Sequence, residues 1–158
     1  MKNILVLGIG NQLMMDDGIG VSVVKELESR NTDSEIRYMI GETDVDFCID
    51  EMEKADYVII VDAAFLGVEP CTVRTFWLKD VLEETSLSLF VHDMNLLHAM
   101  KRYNYMGQGV LIAIEACKIK CSIKLSEEME KNFPTIVDEV EDIIMYLKEG
   151  INQKEFIR

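Results

Sequence analysis

Runs of apolar residues alternate along this chain with stripes of apolar residues at helical spacing. Residues 4–7 are continuously apolar and lead into Gly8 and Gly10, a pattern typical of a central parallel strand as it leaves its sheet. After them, apolar residues recur every three or four positions, which predicts one face of a helix with charged residues opposite. That face consists of Ile19, Val23, Val24 and Leu27.

The same two patterns predict the remaining elements. Four more strands are expected at residues 35–40, 57–61, 72–77 and 110–114, and further helices at 47–55, at 96–103 and within 126–149. Residues 72–77 alternate between two faces, which favours an edge strand. Pro134 lies inside the last helical segment, so we expect that helix to begin near Phe133, with Pro134 in its first turn.

The alternation of strands and helices predicts a parallel sheet with right-handed crossovers. We expect a single α/β domain over residues 1–150, with a twisted, mostly parallel sheet of about five strands, sandwiched by helices, and one antiparallel edge strand. Residues 151–158 are expected to form a frayed tail. A chain of 158 residues without repeats or linker-like tracts fits one domain.

Charge and hydropathy exclude two classes of partner. A net charge of −13 argues against nucleic acid, and the densest basic stretch, Lys118, Lys120 and Lys124, is too sparse to offset it. The longest apolar runs are far shorter than the about 20 residues that cross a bilayer. The N-terminus carries a single Lys2 before the first strand and does not resemble a signal peptide, so we expect a cytoplasmic protein.

The four cysteines do not form a metal-binding or disulfide motif. None stands in a Cys-x-x-Cys pair, and the cytoplasmic expectation disfavours disulfides. Cys117 and Cys121 are four positions apart, but they follow a predicted strand rather than lying on a helix. We therefore expect buried free thiols.

Three metal-competent side chains follow predicted strands. Asp17 ends the turn after the first strand, Asp62 follows the strand at 57–61, and His92 lies between the edge strand and the next helix. Ligands bind such sheets beyond the carboxyl ends of the strands, where these residues could meet. Two carboxylates and an imidazole suit zinc, nickel or another first-row divalent ion. The structural alternatives are a helix cap for Asp16 or Asp17, a turn residue at Asp62 and a loop histidine.

Two other enzyme classes fit less well. Gly8 and Gly10 follow a strand and precede a helix, as in dinucleotide-binding proteins. The third glycine of that fingerprint is replaced by Leu13, however, and the distance to the helix is too long. A serine or cysteine hydrolase is disfavoured because the chain contains no G-x-S-x-G motif and no cysteine with an evident histidine partner.

The residues after the first strand read Gly-x-Gly-Asn-x-Leu-x-x-Asp-Asp-Gly-x-Gly from Gly8 to Gly20. This segment resembles the opening of the hydrogenase maturation proteases, which trim the C-terminal extension from the large subunit of nickel–iron hydrogenases. The strand that leads to Asp62 is similar to the third strand of that family, and the order of elements agrees along nearly the whole chain. The resemblance implies the same α/β fold and a monomer.

The resemblance also implies roles for individual residues. The family's metal-binding and catalytic positions fall on Asp17, Asp62 and His92, which would engage nickel carried by the hydrogenase precursor. Zinc or cadmium could substitute in the isolated protein. Gly41, Glu42 and Thr43 occupy the position of a substrate-contacting turn.

Two segments depart from the family pattern. Phe90 and Val91 precede the histidine where Ser/Thr-Pro is common, and residues 113–116 lack the usual Gly and Pro. His98 is an alternative ligand, but it falls inside a predicted helix. The departures leave a second hypothesis open, in which the chain is a non-catalytic binding or assembly factor for a hydrogenase-like client.

Overall fold

The computed structural model describes residues 2–83 and 94–153. Its sheet has the strand order β2-β1-β3-β5-β4, with β4 antiparallel at one edge and the other four strands parallel. The predicted fold class, including the antiparallel edge strand, is confirmed. The strands are β1 (Ile4–Ile9), β2 (Ile36–Glu42), β3 (Tyr57–Ala64), β4 (Val73–Trp77) and β5 (Gly109–Glu115).

Helices cover both faces of the sheet, because successive strand residues point to opposite sides. Ile4 and Val6 of β1 pack with α1 and α5, whereas Leu5 and Leu7 pack with α2, α3 and α4. The short α3, which follows β4 directly, is an element that the apolar pattern did not predict. The helices are α1 (Ile19–Arg30), α2 (Val45–Glu53), α3 (Leu78–Glu83), α4 (Met94–Arg102) and α5 (Glu127–Asn152).

The last helix begins earlier than Pro134 suggested, so the predicted start near Phe133 is wrong. Ser126 caps the helix, its Oγ accepting a hydrogen bond from the backbone N–H of Met129 at 3.3 Å. Met129 in the first turn is fully buried in the core. Pro134 is exposed and costs the helix one backbone hydrogen bond, a penalty of about 3 kcal/mol. The cap and the buried first turn offset that cost.

The end of α5 lies within the segment that was expected to fray. The helix α5 continues to Asn152, and Ile151 is only 1% exposed within the core. The boundary expected at residue 150 therefore lies two residues before the helix ends. Residues 154–158, the remainder of the predicted frayed tail, lie outside the described residues.

Asp16 joins the turn after β1 to the segment between β5 and α5. Its Oδ2 accepts hydrogen bonds from the backbone N–H groups of Cys117 at 3.0 Å and Lys118 at 2.9 Å, and from Ser126 Oγ at 2.7 Å. Its Oδ1 accepts from the backbone N–H of Ser126 at 2.7 Å. The side chain is fully buried, so these four bonds replace its contacts with water.

We expect Asp16→Ala to lower the free energy of unfolding by about 3 kcal/mol, because it leaves several buried donors without an acceptor. Urea denaturation followed by circular dichroism measures this change. The control is Asp138→Ala, since Asp138 makes an exposed salt bridge to Arg30 and its loss should cost less than about 1 kcal/mol. Equal effects of the two substitutions would contradict a structural role for Asp16.

The thiols of Cys71 and Cys117 lie 3.7 Å apart, at the adjacent ends of β4 and β5. None of the four cysteines forms a disulfide; only Cys48 is buried, whereas Cys121 is exposed. The expectation of buried thiols therefore holds for Cys48 alone. Burial, followed by the hydrogen bond with Cys117, raises the pKa of Cys71 to about 12.

We expect iodoacetamide at pH 8 to alkylate Cys121 before Cys71. The thiolate is the nucleophile, and a raised pKa keeps the Cys71 thiol protonated at that pH. Peptide mass spectrometry over a time course measures the two rates, with the urea-unfolded protein as the control in which they converge. Labelling of native Cys71 as fast as Cys121 would contradict the protected environment.

Candidate active site at the carboxyl ends of the strands

The buried charged side chains of the described residues gather at one end of the sheet. They are Asp16, Asp17, Asp62 and Glu115, each no more than 4% exposed. Burying an ionised carboxylate costs solvation free energy, so such an arrangement needs hydrogen-bond donors or cations to compensate for the lost contacts with water. The carboxyl ends of the parallel strands β1, β3 and β5 therefore form the candidate site, as the crossover rule predicted.

Gly10 is the point where the elements of the site meet. Its φ of +124° is a backbone conformation that favours glycine. A Cβ at this position would lie 2.0 Å from the carbonyl oxygen of Asp17 and 3.8 Å from Asp62 Oδ1. The backbone N–H of Gly10 donates to the carbonyl of Glu42 at 2.9 Å. The glycine thus brings the turn, β3 and the end of β2 together.

Asp17 lies in a single 3-10 turn, Met15–Gly18, directly before α1. Its Oδ2 accepts a hydrogen bond from the backbone N–H of Asn11 at 3.0 Å, which fixes the carboxylate across the turn. The N-cap of α1 is Gly18, and no side chain caps the helix. The expected cap by Asp16 or Asp17 is therefore wrong, because the 3-10 turn separates both carboxylates from the free N–H groups of α1.

Asp62 lies inside β3 rather than after it. The strand continues to Ala64 because Asp62 pairs with Ala113 and Ala64 with Glu115 of β5. Alternation along β3 places Asp62 on the same face as Ile60, which packs with α2, α3 and α4. The predicted turn role is therefore wrong, while the predicted place near the carboxyl end of the sheet is correct.

His92 lies outside the described residues, so the expected three-residue metal site stays a prediction. Within residues 2–83 and 94–153, no group of three histidine, cysteine or acidic side chains has a geometry suited to a metal ion. His98, the other histidine, lies on α4 as expected, and its side chain is exposed.

Gly41 and Glu42 end β2, and Thr43 follows them in a turn. Glu42 has a φ of 49°, and its Oε1 accepts a hydrogen bond from Gln12 Nε2 at 3.0 Å. The three residues line an open cavity of about 310 Å³ beside the Gly10 turn. Their contact with a substrate stays a prediction.

Glu115 is a site residue that the sequence did not single out for its own role. Its carboxylate accepts hydrogen bonds from the backbone N–H groups of Leu66 at 2.6 Å and Gly67 at 3.2 Å. It therefore orders the segment that follows β3, beside Asp62. The available signal was a lone charged residue ending an otherwise apolar strand.

Sequence comparisons place the chain among hydrogenase maturation proteins. A family model described as hydrogenase maturation protease matches residues 21–143. The chain is 28% identical over 152 residues to a putative hydrogenase maturation protease of Methanocaldococcus jannaschii, covering 91% of this chain and 95% of that protein. It is 38% identical over 73 residues to the hydrogenase expression/formation protein HoxM of Azotobacter vinelandii. That match spans 46% of this chain and only 35% of that relative.

Solved structures with the same fold include two maturation proteases. The hydrogenase maturating endopeptidase HybD from E. coli superposes with a TM-score of 0.73 at 22% identity, covering 92% of this chain and 93% of that one. The protease HycI from Thermococcus kodakarensis gives 0.71 at 19% identity, covering 91% and 93%. At these identities the likeness establishes the fold.

No helix within the described residues combines the length and apolar character needed to cross a bilayer. The predicted cytoplasmic location and monomeric state remain predictions. The family itself is established, because the matching model spans most of the chain, including Asp62 and His92. The chain belongs to the hydrogenase maturation protease family.

Proposed function

We propose that the protein is an endopeptidase that removes the C-terminal extension from the nickel-loaded large-subunit precursor of a nickel–iron hydrogenase. Asp17, Asp62 and His92 bind the nickel that the precursor carries. The observation that carries the proposal is that two buried aspartates meet at the Gly10 turn, at the carboxyl ends of β1 and β3. The backbone carbonyl of Asp17 and the Oδ1 of Asp62 both lie within 4 Å of where a Gly10 Cβ would be. Family membership supplies the type of client.

The electrostatics of the site favour a cation. Asp16 and Glu115 direct their oxygens at backbone N–H groups of neighbouring segments. Asp17 and Asp62 add two further buried carboxylates at the same end of the sheet. A divalent ion delivered by the substrate would interact more strongly with carboxylates in this low-dielectric environment than in water, and oxygen and imidazole donors suit nickel, zinc and cadmium alike.

The direction of α4 relative to the sheet follows from the cavity at its last turn. The last turn of α4, Met100 and Lys101, lines a cavity shared with Gly107 and Gln108, just before the first residue of β5. The helix therefore runs antiparallel to the parallel strands, with its first turn on the side of their carboxyl ends. Buried side chains of α4 also pack on the face of the sheet to which alternation assigns Asp62.

Hydrolysis of the precursor would transfer a hydroxyl from water to the scissile carbonyl carbon and a proton to the leaving amine. Asp17 and Asp62 can hold the metal-bearing end of the substrate, which fixes the scissile peptide in the cleft. Correct positioning alone contributes a large share of such rate enhancements. Gly41, Glu42 and Thr43 would contact the extended peptide from the edge of the cleft.

The test is cleavage of the nickel-loaded large-subunit precursor from the organism that carries this chain. We expect Asp17→Asn, Asp62→Asn and His92→Ala each to reduce the cleavage rate about 100-fold or more, since each removes one anchor of the substrate. Gel electrophoresis and mass spectrometry report loss of the C-terminal peptide.

Two substitutions serve as matched controls for that experiment. Asp50→Asn removes an exposed carboxylate of α2, and His98→Ala removes the chain's other histidine, and both should cleave at the wild-type rate. Wild-type protein that binds the precursor without cutting it would refute the endopeptidase and favour the non-catalytic assembly factor.

The geometry at Gly10 gives a separate prediction. Gly10→Ala should reduce cleavage about 100-fold, because its Cβ would displace the Asp17 carbonyl by more than 1 Å. Gly67→Ala is the control, since Gly67 also has a positive φ, +76°, but its Cβ would meet nothing within 4 Å. It shares the backbone strain of roughly 1 kcal/mol without the clash. Similar activity of the two variants would contradict this placement of Asp17.

A further inference from the structure

Two large apolar side chains stand exposed beside the candidate site. Leu13, four residues before Asp17, is 61% exposed, and Ile123 is 81% exposed. Single exposed apolar residues are ordinary on protein surfaces. These two, however, belong to segments that hydrogen bonds hold together next to the buried carboxylates.

A short parallel ladder joins the two segments. The backbone N–H of Ser122 donates to the carbonyl of Leu13, and that of Met15 donates to the carbonyl of Ser122, both at 2.9 Å. Asp16 reinforces the ladder through Cys117 and the start of α5. The exposed side chains are therefore carried by ordered backbone, which lowers the entropy lost when a partner binds.

The same surface carries a local positive charge. We name residues 117–125 the rim loop; it contains Lys118, Lys120 and Lys124, all exposed. Within the described residues none of these lysines forms a salt bridge, although the protein has a net charge of −13. The acidic first turn of α5 follows directly and confines the positive patch to the rim loop.

We propose that Leu13, Ile123 and the lysines of the rim loop form the docking surface for the precursor, through a precursor segment that carries apolar side chains and carboxylates. This inference rests on the proposed function for the identity of the partner. Exposed lysines flanking exposed apolar groups complement such a segment in both charge and hydropathy. The surface lies next to Asp17, so a docked segment leads directly to the cleft.

A second copy of this chain is a poorer occupant. A symmetric dimer through this surface would place the same patch on both partners and bring the rim-loop lysines toward their own counterparts. Like charges in an interface oppose association. A partner segment with carboxylates meets no such repulsion.

The test measures the dissociation constant for the nickel-loaded precursor by titration calorimetry, together with KM and kcat for cleavage. We expect Ile123→Asp to raise both the dissociation constant and KM about tenfold or more, with kcat changed less than about twofold. Met106→Asp is the control. Met106 is 82% exposed, but it follows α4 at the opposite end of the sheet, and the substitution introduces the same charge.

A charge reversal tests the lysines in the same assays. Lys120→Glu should raise the dissociation constant and KM and leave kcat nearly unchanged, whereas Lys101→Glu, the same charge reversal on α4, should leave binding unchanged. Equal effects within either pair, or an effect on kcat alone, would overturn the docking surface while leaving cleavage by the wild type intact. If the precursor binds but is not cleaved, the endopeptidase proposal is refuted. The dissociation constants of the variants would still show whether the docking surface is correct. Absence of both binding and cleavage would refute both proposals.

Discussion

The carboxylate of Asp16 accepts four hydrogen bonds from three residues that lie 101 to 110 positions later in the chain. This one buried group holds the turn after β1 against the end of β5 and the start of α5. Ser126 links Asp16 to the first turn of α5, because its Oγ donates a hydrogen bond to Asp16 and accepts one from the N–H of Met129. The position of the rim loop and the start of α5 both depend on it.

The adjacent aspartates therefore have different tasks. Asp16 meets backbone donors from a distant segment and is structural, whereas Asp17 is oriented by Asn11 within its own turn. Glu115 repeats the structural role on the other side of the site by ordering the segment after β3. Two structural carboxylates thus frame the two, Asp17 and Asp62, that are proposed to bind the metal of the substrate. The concentration of negative charge favours a cation at this end of the sheet.

The surface around this acidic centre has the opposite character. The rim loop is basic and exposes Ile123, and Leu13 stands beside it on the ladder through Ser122. The buried carboxylates would attract the metal of a substrate, while the exposed lysines and apolar side chains of the rim loop would contact the polypeptide that carries the metal. The same short ladder supports both features, so substrate docking and metal binding would share one rigid framework.

The sequence by itself determined the elements that depend on local burial. Apolar periodicity predicted the five strands of the described sheet, its edge strand and the inner face of α1. Such periods can be read from the sequence because the local backbone geometry sets which side chains share a face. The motif after β1 indicated the family and the importance of Asp17. The crossover rule placed the site at the carboxyl ends of the strands, since parallel connections leave those ends adjacent.

Only the tertiary structure decided the outcome where a residue's partner is distant in the chain. Asp16 was expected to cap its own helix, but its donors come from beyond β5. Asp62 was expected to end its strand, but pairing with β5 extends β3 past it. The start of α5 was expected near Phe133, with Pro134 in the first turn, while Ser126 and a buried Met129 set it earlier. In each case, hydrogen bonds or packing between segments distant in the chain outweigh the structural preference of the local sequence. Such long-range contacts produce no periodic pattern of residues, so the sequence alone does not reveal them.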